Sequence, residues 1–165
     1  MAALDILGIA GVEYLKPIPH VRHGSIWHLG RERADFGGTD ALAMNINPIA
    51  IKFVRDVAAH EACPPACDIA GRPSVILGEG DRLANNTFLA ACPNLTLIYL
   101  AVPIEEARHR ASIRARALGK PEQSLSWWKG RVTKVRNLVA SRPTITLDGM
   151  GPAAKSAAEL ADLLR

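Results

Sequence analysis

Two continuous apolar runs constrain the fold of this chain more than any other feature of its sequence. The first, SVILGEG, covers residues 74–80, and the second, LTLIYLAV, covers residues 95–102. Because neither run alternates apolar and polar residues, each is typical of a strand covered on both faces. Weaker strand patterns lie at residues 25–30 and 144–148. The sequence therefore predicts a largely buried sheet.

Helical patterns lie between these strand candidates. The first helix is expected to have Asn47 as its cap and Pro48 in its first turn. Its apolar face would contain Ala50, Phe53, Val54, Val57 and Ala58. Four further helices are predicted at residues 82–91, from Pro103 onward, at 126–140 with Ser124 or Ser126 as cap, and at 152–164.

The order strand, helix, strand, helix, helix, strand, helix is typical of a mostly parallel sheet wrapped by helices. We therefore predict an α/β fold of three layers, in which strands near Val75, Leu97 and Ile145 run parallel in one sheet. Ligands of such sheets bind beyond the carboxyl ends of the strands. The segment GEGDR, residues 78–82, follows the first apolar run and is expected at such an end.

Length and composition favour one domain spanning residues 1–165. The chain has 165 residues, of which 48% are hydrophobic, enough to bury a core. No apolar run reaches the roughly 18 residues of a membrane span, and the N-terminus lacks a signal-peptide layout, so we expect a soluble, cytoplasmic protein.

Cysteine usage gives little evidence for a disulfide framework, because the chain has three cysteines. His60, Cys63 and Cys67 in HEACPPAC would form one corner of a metal site, but the sequence offers no second matching pair of ligands. We therefore expect a proline-bearing surface loop at this position.

Positive charge is concentrated in residues 103–142. This segment contains ten Lys and Arg residues against three acids, a net charge of +7, and the rest of the chain carries −3. A basic block of this kind favours a polyanionic partner, either nucleotide phosphates or a nucleic-acid backbone. A solvated helical face is the alternative.

Several segments together resemble the P-loop nucleoside and nucleotide kinases. VILGEGDRL is similar to their third strand, whose terminal acids handle magnesium or the attacking hydroxyl. LTLIYLAV followed by PIEEARHRASIRAR resembles the next strand and the arginine-bearing lid, and TITLDGMGPAAKSAAELADLL resembles the last strand and closing helix. The resemblance covers about residue 17 to the C-terminus, and it implies ATP and Mg²⁺ as cofactors.

A narrower resemblance is to P-loop kinases of bacteriophages, some of them associated with modified pyrimidines. It is carried by GRERADFGGTDALAMNINP, EGDRLANNTF and SWWKGRVTKVRNL together. A P-loop kinase should also contain G-x-x-x-x-G-K-[ST], whose backbone amides hold phosphates. The first 20 residues contain Gly8 and Gly11 but no Gly-Lys-Ser/Thr run, and Lys16 does not follow a glycine. Either the sequence starts downstream of the true beginning, or ATP chemistry has been lost.

The resemblance assigns roles to the strand-end segment. Glu79 or Asp81 would act as base toward a substrate hydroxyl or bind magnesium, and Arg82 would hold a phosphate or orient the acid. The alternative is structural: Asp81 would cap the following helix and pair with Arg82.

Residues of the basic segment are candidates for nucleotide binding. Arg110 and Arg114 are four residues apart, so both would reach one polyphosphate, whereas Arg108 and Arg116 are expected to be solvated. In the next helix, Trp128, Val132, Val135 and Val139 form an apolar stripe and Trp128 is predicted to be core. Trp127, beside Arg131 and Lys134, is the better candidate for stacking on a base.

Residues 31–45, RERADFGGTDALAMN, are rich in groups suited to a nucleotide. Arg31 and Arg33 would bind phosphate, Asp40 and Asn45 would hydrogen-bond a base or sugar, and the two glycines at 37 and 38 would allow close approach of the backbone. An ordinary turn before a helix explains the same residues equally well.

Two functions follow from these features. The first is ATP-dependent phosphorylation of a nucleoside, a nucleotide or a hydroxymethylated pyrimidine, including one within DNA. We expect this activity to be impaired in this chain unless a phosphate loop is supplied. The second is a non-catalytic nucleotide- or DNA-binding module. The retained acids favour the first function, and the missing Gly-Lys-Ser/Thr run favours the second.

Overall fold

The computed structural model describes residues 8, 10–31, 42–60 and 74–164, apart from the side chains of His60 and Asp81. These residues group into two compact units, Met1–Leu95 with Leu160–Arg165, and Thr96–Glu159. The predicted assignment to one domain therefore stays a prediction. Residues predicted from the sequence that lie outside the described part are Arg33, Gly37, Gly38, Asp40, Cys63 and Cys67.

The first unit contains a four-stranded sheet. Its strands, in sheet order, are β1 (Val12–Tyr14), β2 (His20–His23), β3 (Ile26–Leu29) and β4 (Val75–Leu77). The first two pairings are antiparallel, and β3 pairs with β4 in parallel. The backbone N–H of Ser74 donates to the carbonyl of Ser25 at 2.7 Å, which joins the start of β4 to the turn before β3.

Three helices complete the described part of the first unit: α1 (Asn47–His60), α2 (Gly80–Leu83) and α3 (Asn86–Ala91). The predicted apolar face of α1 is confirmed, because Ala50, Phe53 and Val54 are buried. The single helix predicted at residues 82–91 is wrong in detail, since the chain leaves the helical conformation at Ala84.

The centre of the first unit is built on β2 and β3. All four residues of β3 are buried, and Trp27 is only 1% exposed. The Trp27 ring stacks with His20 at 5.3 Å and with Phe53 of α1 at 6.0 Å between centroids. The Arg22 guanidinium lies 3.8 Å from the centroid of Trp27 and 4.0 Å from that of Tyr14. Four aromatic rings and one cation therefore hold β1, β2, β3 and α1 together.

Hydrogen bonds fix the protonation state of His20, which is fully buried. Arg22 Nε donates to His20 Nε2 at 2.9 Å, so Nε2 must be an acceptor. His20 Nδ1 then carries the proton and donates to the Ile18 carbonyl at 2.8 Å. Burial, with the nearby Arg22 charge as a smaller cause, lowers the pKa of His20 despite the opposing backbone hydrogen bond. The histidine is therefore a neutral structural group.

The second unit contains a separate sheet of two parallel strands, β5 (Leu97–Ala101) and β6 (Thr144–Asp148). The helices α4 (Ile104–Ala117) and α5 (Leu125–Ala140) lie between these strands in the chain, and α6 (Ala153–Leu163) follows β6. Ser124 caps α5 by accepting a hydrogen bond from the backbone N–H of Trp127. The parallel β5 and β6 and the Ser124 cap confirm predictions from the sequence.

The prediction of one sheet containing Val75, Leu97 and Ile145 is not met by the described strands. The Val75 strand pairs only with β3, because the β1–β3 meander supplies its partner, whereas the other two strands pair with each other. The apolar runs are also less covered than predicted, since β4 is half-buried and Leu100 in β5 is 51% exposed. The fold is α/β with one mixed and one parallel sheet, and its three-layer order stays a prediction.

Within the described part of the chain, no helix has both the length and the apolar character that crossing a membrane requires.

Candidate functional site

The carboxyl ends of β3 and β4 bring two predicted site residues to one edge of a sheet. The strands are parallel, and His28 is opposite Leu77 in their register. Arg31 follows the end of β3 and Glu79 follows the end of β4, so both come after the same edge. Ligands of parallel strands bind at this edge. Arg31 also forms an exposed ion pair with Glu13 of β1, with 2.8 Å between Nε and Oε1.

Two glycines set the position of Glu79. A Cβ atom on Gly78 would lie 3.1 Å from Leu83 Cδ1, so the small residue lets buried Leu83 pack beneath the strand end. Gly80 has a φ of 77°, a left-handed value that favours glycine. Glu79 itself is extended and exposed, and its side chain makes no cap hydrogen bond to α2. The sequence therefore presents this carboxylate outward at the strand end.

Asn85, which the sequence analysis missed, connects the segment after Glu79 to the rest of the unit. Its Oδ1 accepts from the backbone N–H of Phe88 at 3.0 Å and caps α3. Its Nδ2 donates to Asn47 Oδ1 at 3.1 Å and to the Arg82 carbonyl at 2.8 Å. Asn47 is the first residue of α1 and accepts this hydrogen bond at its Oδ1, and its predicted role as the cap of that helix stays a prediction.

The cap formed by Asn85 bears on the structural alternative for Asp81. Asp81 is the second residue of the single turn α2, and the six-residue helix α3 that follows is capped by Asn85. The side chain of Asp81 is not described, so its pairing with half-buried Arg82 stays a prediction. An Asn-x-x-Phe spacing before an apolar run was the signal for the true cap.

Magnesium fits this strand end only in partnership with phosphates. Among the described residues, no group of three or more His, Cys, Asp or Glu side chains is arranged to hold a metal ion. Mg²⁺ typically uses one or two carboxylates and fills its other positions with water and phosphate oxygens. The roles of exposed Glu79 as a ligand of Mg²⁺ or as a base therefore stay predictions. The His60, Cys63 and Cys67 ligand set lies outside the described side chains.

The glycines near the start of the chain do not form a phosphate cradle in the described residues. The segment after Gly11 continues into β1 rather than into a helix. A Cβ atom on Gly11 would lie 2.6 Å from His23 Cε1, so this glycine is required for packing against β2. A phosphate loop needs backbone N–H groups at a helix N-terminus.

Trp127 in α5 presents an aromatic surface beside two cations. The residue is 39% exposed, and Trp128 meets it edge-on with 5.0 Å between centroids. The Arg131 guanidinium lies 4.6 Å from the Trp127 centroid. Trp128 is half-buried, so its predicted core position is only partly right, because α5 leaves its first turns largely exposed.

Arg131 and Lys134 are both half-buried. Burial, followed by the positive charge of Arg131, lowers the pKa of Lys134. Since both causes disfavour a cation, an anion bound here would stabilise the charged lysine. These residues are placed together with Trp127 as the sequence predicted, and their role in ligand binding stays a prediction.

Three of the four arginines of α4 form ion pairs with glutamates. Arg110 Nε donates to Glu106 at 2.6 Å, and its Nη1 donates to the Gly149 carbonyl at 3.0 Å, which joins α4 to the turn after β6. Arg114 is exposed and has no ion-pair partner among the described residues. Arg108 and Arg116, expected to be solvated, pair with Glu105 and Glu122. The phosphate-binding roles of Arg110 and Arg114 stay predictions.

The turn after β6 is a second feature that the sequence analysis missed. The backbone N–H of Gly149 donates to the Ala101 carbonyl of β5 at 2.9 Å. A Cβ atom there would lie 2.4 Å from Val102 Cγ2, so only glycine allows this approach. Asp148 Oδ1 accepts from the backbone N–H of Met150 at 2.8 Å. The Asp-Gly pair was the available signal for this turn.

Comparison with known proteins adds one match to this geometry. The sequence model of the family P-loop Nucleotide Kinase3 matches residues 23–155. No curated protein and no solved structure matches the chain. The matched range begins at the end of β2 and extends into α6, so it includes the β3–β4 edge and all of α4 and α5. Because this range is more than half of the sequence, the chain belongs to the P-loop Nucleotide Kinase3 family.

Proposed function

We propose that this protein is an ATP-dependent phosphotransferase whose acceptor is a nucleoside, a nucleotide or a hydroxymethylated pyrimidine, including one within DNA. The observation that carries the proposal is the exposed carboxylate of Glu79 at the carboxyl edge of the parallel strands β3 and β4. Membership of a nucleotide kinase family supports the same reaction class. The acceptor is the finer part of the proposal.

In this reaction Glu79 or Asp81 accepts the proton of the acceptor hydroxyl while Arg82 holds a phosphate or orients the acid. A general base of this kind typically contributes about 10²- to 10⁴-fold to a rate. Mg²⁺, when bound, neutralises the charge of the phosphates. Arg31 follows the neighbouring strand and is suited to a phosphate of the acceptor.

Other side chains are proposed to bind the nucleotides. Arg33, Asp40 and Asn45 are assigned to the acceptor from the sequence, and of these Asn45 is described and exposed. Phosphate binding is assigned to Arg110, Arg114, Arg131 and Lys134, and base stacking to Trp127. The spacing of Arg131 and Lys134 on one face of α5 supports an anion at that position.

ATP should bind weakly. The sequence contains no G-x-x-x-x-G-K-[ST] run, and the segment after Gly11 enters a strand instead of a helix. Without a backbone cradle, we expect a Kd for ATP on the order of a millimolar or higher. Calorimetry tests this expectation, and micromolar, Mg²⁺-dependent binding would mean that a phosphate site lies elsewhere in the chain.

Transfer of labelled phosphate from millimolar ATP tests the reaction itself. The acceptors are nucleosides, nucleoside monophosphates, 5-hydroxymethylpyrimidine nucleosides and an oligonucleotide that contains the hydroxymethylated base. We expect transfer to one of these classes above the protein-free background. Asp81→Asn should leave thermal unfolding unchanged, because the cap of α3 belongs to Asn85. If Asp81 is the base, this variant should lose transfer, whereas full transfer would leave Glu79 as the base. Absence of transfer to every acceptor would overturn the proposal.

The second candidate is a non-catalytic nucleotide- or DNA-binding module. The observation that favours it is the surface of α5, where exposed Trp127 lies against Arg131, combined with the absent phosphate-loop sequence. This candidate predicts binding of nucleotides or DNA without phosphate transfer. The same assay, run together with a binding measurement, separates the two functions.

A further inference from the structure

The positive charge of residues 103–142 is not neutralised by the acids within that segment. The segment has ten cations and three carboxylates, an excess of seven positive charges. Each of the three carboxylates pairs with an arginine of α4. The ion pairs are Arg108–Glu105 at 3.2 Å, Arg110–Glu106 at 2.6 Å and Arg116–Glu122 at 3.1 Å. A single nucleotide carries too little charge to match this excess, whereas a polynucleotide strand matches it.

One stripe of α5 combines cations with an aromatic ring. Trp127, Arg131 and Lys134 are spaced at i, i+4 and i+7, so they share one face of the helix. The stripe is about 10 Å long at the rise of an α-helix. Phosphates recur about every 3.4 Å along the axis of a stacked strand, so the stripe is long enough for more than one phosphate.

The geometry of Trp127 favours a base as its ligand. Arg131 covers part of the ring at 4.6 Å, Trp128 holds it edge-on, and 39% of the residue is still exposed. Contact with Arg131 and Trp128 orients the indole before any ligand binds. A preorganised aromatic ring beside cations is the arrangement by which proteins stack unpaired bases of single strands.

We propose that the stripe of Trp127, Arg131 and Lys134 binds single-stranded nucleic acid, with a base stacked on Trp127 and backbone phosphates against the two cations. A duplex is a poorer occupant, because its bases are already stacked and cannot reach the indole. The proposal also names the acceptor as a nucleotide within a strand, and that part alone rests on the proposed function. Strand binding itself needs neither ATP nor catalysis.

The same helix supplies matched controls. Lys129 and Arg136 are exposed, lie seven residues apart on another face of α5, and have no ion-pair partner among the described residues. Replacing either one removes the same charge as replacing a stripe residue. If the stripe binds the strand, only its variants should weaken binding. If total charge alone matters, stripe and control variants should weaken binding equally.

Fluorescence anisotropy of labelled thymidine oligonucleotides, without ATP, tests strand binding. We expect the intact chain to bind a single-stranded oligonucleotide of 15 nucleotides more tightly than it binds thymidine monophosphate or the corresponding duplex. Trp127→Ala should weaken binding roughly 5- to 150-fold, and Trp127→Phe should recover part of the loss. Arg131→Gln and Lys134→Gln should each lower the salt slope by about 0.7, whereas Lys129→Gln and Arg136→Gln should leave it unchanged.

Three results would overturn the inference: no strand binding, equal losses in the stripe and control variants, or tighter binding of the duplex. Helix content from circular dichroism identifies any variant that fails to fold. Phosphate transfer to free nucleosides alone would overturn only the assignment of the acceptor. Strand binding without any transfer would support the stripe and contradict the proposed phosphotransferase, so the two failures are distinguishable.

Discussion

The two compact units differ in where their apolar side chains lie. In Met1–Leu95 with Leu160–Arg165, the strands β2 and β3 are almost wholly buried although they contain three histidines and an arginine. In Thr96–Glu159, the apolar strand β5 is half-exposed, and the buried apolar residues of the described part are Leu138 and Ala157. The more apolar strand is therefore the less buried one, so apolar content alone would predict the burial of these strands wrongly.

The difference shows what polar residues need in order to be buried. His20 is accommodated because both of its ring nitrogens have hydrogen-bond partners and its faces stack on aromatic rings. Among the described residues the β5–β6 sheet has two strands, and Leu100 of β5 is exposed. The first unit uses its polar groups in internal contacts, whereas the second unit has cations and the indole of Trp127 at its surface.

The largest expected difference in the free energy of unfolding is between variants at buried Trp27 and at exposed Trp127. Trp27→Ala should reduce the free energy of unfolding by about 3–5 kcal/mol, because it removes a ring that stacks with His20 and Phe53. Trp127→Ala should cost no more than about 1 kcal/mol, the size of an exposed cation–π contact. Urea denaturation measures both values.

If Trp27→Ala does not fold, Trp27→Phe provides the milder comparison. Trp27 Nε1 has no hydrogen-bond partner among the described residues, so phenylalanine removes a buried donor without breaking a bond. Equal losses from Trp27→Phe and Trp127→Phe would contradict the contrast between the units.

Two glycines of the second unit should respond with opposite signs. Gly149→Ala should destabilise the chain by about 1–3 kcal/mol, because its Cβ would lie 2.4 Å from Val102 Cγ2 and 2.8 Å from the Ala101 carbonyl oxygen. Gly130 lies within α5, where a Cβ meets no atom within 4 Å. Gly130→Ala should therefore stabilise the chain by about 0.5–1 kcal/mol. Thermal unfolding that shifts in the same direction for both would refute this packing of the turn.

The helix caps Asn85 in the first unit and Ser124 in the second should differ by a smaller amount in the free energy of unfolding. Asn85→Ala should cost about 1–2 kcal/mol, because the side chain caps α3 and also bonds Asn47 and the Arg82 carbonyl. Ser124→Ala should cost about 0.5–1 kcal/mol, because its principal contact is with the N–H of Trp127. Chemical denaturation of both variants gives the ranking, and a larger loss from Ser124→Ala would contradict it.

The smallest effect concerns pH and the first unit. Because the pKa of His20 is lowered in the folded state, the unfolded chain binds more protons as pH falls below the ordinary histidine value of about 6.5. Stability should be fully present above that pH and decline below it, by at most about 1.4 kcal/mol per pH unit for one proton. His20→Gln should flatten this decline. An unchanged slope in His20→Gln would show that other groups titrate.

Local patterns predicted the elements better than their arrangement. The spacing of Ala50, Phe53 and Val54 predicted α1, and Ser124 predicted the start of α5, because both signals act within a few residues. Strand β2, with the sequence HVRH, gave no apolar signal, since its burial depends on Trp27 of the paired strand β3 and on Phe53, which is distant in the chain. Sheet partners depend on such contacts as well, which is why the one-sheet prediction failed.

The candidate site shows the same limit. The apolar run before Glu79 predicted a carboxylate at a strand end, and the parallel pairing of β3 with β4 placed Arg31 after the same edge. Asn85 was missed because its value lies in three hydrogen bonds, two of them to residues outside its own helix. Arg110 looked identical to Arg114 in sequence, but its bond to the Gly149 carbonyl depends on the turn after β6.

The rate of phosphate transfer in Glu79→Gln tests the central claim most directly. Glutamine keeps the size of the side chain and removes its charge, and Glu105→Gln removes the same charge from an exposed ion pair of α4. We predict a loss of about 10²- to 10⁴-fold in Glu79→Gln and no loss in Glu105→Gln, measured with saturating acceptor at millimolar ATP and Mg²⁺. Transfer by Glu79→Gln at the rate of the unmodified chain would contradict the assignment of chemistry to the β3–β4 edge.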